Sequence, residues 1–83
     1  MQVTQEQGEK ETVLRLEGRL VSSSAADFEK TLLSVIDGGA TRLALDLTDL
    51  EMVSSAGLRI FLVGARRLKT ADARLALFGA SPR

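Results

Sequence analysis

Cysteine and histidine are both missing from the chain, and tryptophan and tyrosine with them. Without cysteine there is no disulfide and no thiolate chemistry, which fits a reducing compartment. Without histidine the chain can supply no Ser-His-Asp triad, no imidazole base and no histidine-based zinc site. A single proline and three phenylalanines leave little aromatic material for stacking on bases. Charge of one sign is also lacking: eleven acidic and eleven basic residues cancel. A neutral balance removes the bulk attraction to nucleic acid or to an anionic membrane, so neither is expected as a partner. No apolar run approaches the roughly 20 residues needed to span a bilayer. The polar start "MQVTQEQGEKE" has no signal-peptide character. A cytoplasmic protein is the expectation.

What is present is a small globular composition: 83 residues, 45% hydrophobic and 27% charged. That is one domain over residues 1–83, and a chain this short must use its core efficiently. The charge is mildly polarised. Residues 1–41 carry seven acids and four bases, and residues 42–83 carry four acids and seven bases.

Periodicity divides the chain. "QVTQEQ" alternates weakly and "ETVLRLEGRL" places Leu14, Leu16 and Leu20 on one parity, so residues 1–17 read as a hairpin. "SSSAADFEKTLLSVIDGG" reads as a helix, with Ser24 and Asp27 resembling a capping box and Gly38–Gly39 ending it. Its stripe of Ala25, Phe28, Leu32, Val35 and Ile36 faces inward. "TRLALDL" is a strand with Leu43, Leu45 and Leu47 on one face. A helix from Ser55 to Thr70 and a last strand "ARLALFG" follow. On that second helix Leu58, Phe61, Leu62, Ala65 and Leu68 are expected to point inward. Ile60 and Val63, beside Arg59, are expected on the outer face as partner contacts. The order β-β-α-β-α-β predicts an α/β sheet of about four strands carrying two helices. "SPR" at residues 81–83 looks like the start of a further helix, Ser as cap and Pro at the first position. The expectation is therefore a C-terminally truncated domain whose final helix is absent, with self-association through the surface left bare.

"LTDLEMVSSAGLRIFLVGARRL", residues 47–68, carries the functional question. Ser54 and Ser55 stand where an apolar run becomes helical. A serine there satisfies an unpaired backbone N–H as a cap. The same free donors and the positive helix end suit a phosphate, and Gly57 lets a ligand or partner approach the first turn. A serine nucleophile finds no base, and "SSAGL" is no G-x-S-x-G elbow. Neither G-x-x-x-x-G-K-[ST] nor G-x-G-x-x-G occurs, so a nucleotide cradle has no support. A modification switch at Ser55 is compatible with the physics.

"DLTDLEMVSSAGLRIFL", residues 46–62, resembles the signature of the STAS domain, the fold of bacterial anti-sigma-factor antagonists. Asp46, Leu47 and Thr48 match the family's strand end. Ser55, Ala56, Gly57 and Leu58 match the turn that opens its second helix, and "LEGRL" matches upstream. Ser54 stands where the family often has Asp, and Val21 where an acidic or polar residue often follows the second strand. The resemblance implies no enzyme and no cofactor. It implies a phosphorylation-controlled protein-binding switch with Ser55 as acceptor and Asp46, Thr48, Ser54, Ala56 and Gly57 around it. The implied partners are an anti-sigma factor that is also a serine kinase, bound by the unphosphorylated form, and a PP2C-type phosphatase that restores it. The alternative is a scaffold or assembly domain, in a stress-signalling complex or beside a transporter, that is never phosphorylated.

Overall fold

In a computed structural model, residues 1–79 are described. The chain runs β1 (Gln2–Gln7), β2 (Thr12–Leu20), α1 (Ser22–Asp37), β3 (Arg42–Val53), α2 (Ser55–Thr70) and β4 (Arg74–Phe78). This is the expected β-β-α-β-α-β order. The serine-proline pair at 81–82 lies outside the described residues. No helix among the described residues is long and apolar enough to cross a membrane.

The four strands form one sheet in the order β1-β2-β3-β4. β1 pairs antiparallel with β2, and β2–β3 and β3–β4 are parallel. The two parallel steps run in the same direction across the sheet. Right-handed crossovers therefore put α1 and α2 on the same face. Strand parity agrees: Leu14, Leu16 and Leu20 of β2 and Leu43, Leu45 and Leu47 of β3 are all buried in one cluster with both helices. Phe28 of α1 and Phe61 of α2 meet edge to face, with centroids 5.9 Å apart and planes at 89°, a favoured aromatic geometry.

α1 begins two residues before the expected cap. Val21 is the extended residue at its start, and the Ser24 hydroxyl accepts from the Val21 backbone N–H at 3.1 Å. Valine has no side-chain acceptor, so only this half of a reciprocal cap forms. Ser24 is thus the third helical residue, not the cap, because the chain leaves the buried Leu20 and turns at once. Ala25, Phe28, Leu32 and Ile36 are buried as expected, and Val35 is half-buried. Gly39, at φ 101°, takes the left-handed step that ends the helix.

β3 is longer than the pattern predicted. The expected link after Thr48 is itself strand, pairing Glu17 with Asp49, Gly18 with Leu50, Arg19 with Met52 and Leu20 with Val53 across two irregularities in register. Such irregularities twist and bend a strand. This carries β3 along the whole of β2, and the Ser54 N–H donates to the Leu20 carbonyl at 2.8 Å.

The inward face of α2 also differs from the expected one. Gly57, Ile60, Phe61, Gly64 and Leu68 are buried, whereas Leu58 and Leu62 are 54% and 61% exposed. The reason is steric. A Cβ on Gly57 would lie 2.7 Å from Leu20 Cγ, and one on Gly64 would lie 2.8 Å from Leu32 Cδ2. Both glycines press backbone against the core, and the helix rotates to let them. Ile60 follows them inward, so it cannot serve as an exposed partner contact. Val63 is half-buried and Arg59 exposed.

Gly57→Ala should destabilise the domain by about 1–2 kcal/mol in urea unfolding, since overpacking outweighs the helix-propensity gain. Gly64→Ala should cost less, because it meets only the movable tip of Leu32.

Candidate functional site

α2 starts at the carboxyl end of the parallel strands, where open α/β sheets place their sites. Ser54 is the residue before its first turn, in extended conformation, and its hydroxyl accepts from the Gly57 N–H at 3.4 Å. That bond is long for a cap. The backbone does more to hold the corner: Ser54 N–H to Leu20, and Leu58 N–H to the Ser54 carbonyl at 3.0 Å. Ser55 is the first helical residue and is exposed, while Ser54 and Ala56 are half-buried and Gly57 is buried. The adjacent serines therefore divide the work. Ser54 faces its own helix end and Ser55 faces solvent. No acidic residue lies in the first turn of α2.

Asp46 and Thr48 form a separate cluster. The Asp46 carboxylate, 8% exposed, accepts from the Thr48 hydroxyl at 2.6 Å and from the Thr48 N–H at 3.0 Å. Its other oxygen lies 3.4 Å from Arg15 Nε, and Arg15 reaches on to Glu6 at 3.6 Å. These contacts run across β1, β2 and β3 on the face opposite the helices. Hydrogen bonds from Thr48 and, after them, the Arg15 guanidinium hold the Asp46 carboxyl below its usual range, against the opposing effect of burial. Gly79, at φ 77°, closes over the cluster. A side chain there would strike the Thr48 hydroxyl and approach Asp46 Oδ1 to 3.1 Å.

The sequence grouped Thr48 and Asp46 with Ser55, but β3 parts them. Five residues of strand separate Thr48 from Ser54, on the order of 15–20 Å at the usual rise. Thr48 is committed to Asp46, and neither shares a hydrogen bond with Ser54 or Ser55. Both lie beside Gly79 at the end of β4.

Arg19 and Met52 beside the start of α2 went unnoticed in the sequence. The Arg19 guanidinium donates to the Met52 sulfur at 3.2 Å, next to the corner where β2 and β3 end. Only the pairing of the two strands reveals that contact. The outward Leu58 and Leu62 were missed as well, and their signal was the pair of glycines seven residues apart.

Comparison with known proteins agrees with this architecture. A family model described as "Mlab, STAS domain" matches residues 3–83. A Bordetella bronchiseptica protein named "Putative anti-sigma factor antagonist BtrV" is 37% identical over 67 residues, covering 81% of this chain. The matched stretch spans 58% of that protein's length. Among solved structures, the anti-sigma factor antagonist SpoIIAA in its unphosphorylated form superposes with a TM-score of 0.82 at 23% identity, covering 98% of this chain and 76% of that one. The Bacillus protein in its phosphorylated form gives 0.81 at 22% identity, covering 98% and 75%. The family model spans almost the whole chain and the solved structures share its fold, so the chain belongs to the STAS domain family.

Because the folded-state acidity of Asp46 is raised, its contribution is complete above the ordinary carboxylate value near 3.9. It is lost as pH falls through the lower folded value. Asp46→Asn should therefore be less stable than the native chain at neutral pH, and the gap should close below about pH 4. Urea unfolding across that range measures it.

Proposed function

We propose that this domain is an anti-sigma factor antagonist that works as a phosphorylation-controlled protein-binding switch, with Ser55 as the acceptor. The observation that carries this reading is the exposed hydroxyl of Ser55 on the first residue of α2, beside a serine already engaged as cap. A kinase needs a hydroxyl that is accessible and that the fold does not require. Ser55 meets both conditions and Ser54 meets neither in full. SpoIIAA, which shares the fold, has been solved with and without phosphate.

The partner in this reading is an anti-sigma factor that is also a serine kinase. The unphosphorylated domain binds it and so frees the sigma factor. A phosphate adds about −1.5 to −2 charges to Ser55. Its own domain tolerates this group, because the helix end is positive. A partner that had packed against the hydroxyl must desolvate or pair the same charge. A loss of about 3 kcal/mol there lowers affinity by roughly two orders of magnitude. A PP2C-type phosphatase reverses the step. The domain itself supplies binding and no catalysis, and it acts in the cytoplasm. The edge strand β4, with Leu77 and Phe78 about half exposed, is the surface through which copies would associate.

A second reading, a scaffold that is never modified, follows from Ser54 in the cap position, where an acid would add charge beside Ser55. Incubation with the cognate kinase and ATP, followed by intact mass, separates the two. One added phosphate that Ser54→Ala retains and Ser55→Ala abolishes supports the switch. No added phosphate supports the scaffold. Both variants should stay folded, Ser54→Ala losing roughly 0.5–1 kcal/mol with its long cap bond.

A further inference from the structure

The outer face of α2 has a composition that packing does not explain. Ser55, Leu58, Arg59, Leu62, Arg66 and Lys69 recur at i, i+3, i+4, i+7, i+11 and i+14, one stripe of a helix. All six are exposed. α2 holds four cations and no acid. One of the four, Arg67, is turned toward α1 and paired with Asp37 at 3.3 Å. Among the described residues the other three have no carboxylate within ion-pair distance. Lys69 suits the negative helix end, but Arg59 sits near the positive end, where the dipole disfavours it. Two leucines turned to water amid unpaired cations, in a chain of zero net charge, are costs to the isolated domain.

We infer that this stripe is a docking surface for an acidic protein face: carboxylates surrounding a hollow that takes the Leu58 and Leu62 side chains. Charge complementarity selects the occupant. The leucines supply the apolar centre and the three cations the rim. An anionic membrane fits less well. The larger apolar face of α2 is spent on the core, which leaves two leucines to insert. The arrangement also explains the sign of a switch at Ser55. A phosphate of about two negative charges one turn from Arg59 offsets that cation and repels a carboxylate-bearing partner at this end of the stripe, while Arg66 and Lys69 lie three to four turns further along. The inference rests on the proposed function only for the choice of partner.

The test is binding of the intact chain to a purified anti-sigma factor of the serine-kinase type, by calorimetry, whether or not phosphate is transferred. Leu62→Ser should weaken the complex at least about tenfold. Arg59→Glu with Arg66→Glu should do the same and flatten the salt dependence between about 50 and 300 mM NaCl. Arg42→Glu with Arg74→Glu, at the starts of β3 and β4, should leave affinity unchanged. Circular dichroism should show all variants folded, since every substituted side chain is exposed. Sensitivity to these variants without any phosphorylation would support the surface and remove the switch. A complex indifferent to the stripe variants overturns the surface and leaves the switch standing. Absence of a complex overturns the surface too, as does binding to anionic phosphatidylglycerol vesicles in place of the kinase.

Discussion

The approach of α2 to the core through its two glycines governs the rest of the molecule. Gly57 lies against Leu20 and Val53, and Gly64 against Leu32. No other residue type allows backbone that close. Once those points are set, the rotation of the helix is determined. Phe61 meets Phe28, Ile60 and Leu68 go inward, and Ser55, Leu58 and Leu62 go outward. A rotation of one residue would bury the Ser55 hydroxyl or carry it toward α1. The corner is held by the Ser54 N–H bond to Leu20, so the same β2 residue limits both the start and the roll of α2.

Polar groups are distributed around that constraint in two clusters with different tasks. The first, Glu6–Arg15–Asp46–Thr48, ties three strands together on the open face of the sheet and ends under Gly79. Its acid is nearly buried and its partners satisfy it. The second, at the start of α2, leaves its hydroxyl and its neighbouring cations unpaired and in water. Satisfied polar groups stabilise a fold; unsatisfied exposed ones are available to a visitor. That contrast, more than proximity in sequence, separates Thr48 from Ser55, although both lie within residues 46–62.

Much of the architecture was legible from pattern. Period-two leucines in β2 and β3 and a stripe of period 3.6 in α1 each have one solution, because burying the other face would expose them. The motif at residues 46–62 pointed to the family. The rotation of α2 was not legible, because hydropathy rates glycine as indifferent when here it marks the buried side. Ile60 was therefore placed outside and Leu58 and Leu62 inside, the reverse of what is found. The Ser24 cap failed for a related reason. A serine three residues into a helix and one at its cap look alike until the entry angle of the chain is known.

The chain's order of residues determined the element sequence, the parity of its strands, the inner stripe of α1 and the absence of imidazole and thiol chemistry. These depend on local periodicity and on side-chain inventory, which need no partner in space. Tertiary structure alone decided how far β3 extends, which face α2 buries, and that Asp46 and Thr48 belong with Gly79 and not with Ser55. Each of these turns on contacts between residues distant in sequence, where a missing side chain can matter as much as a large one.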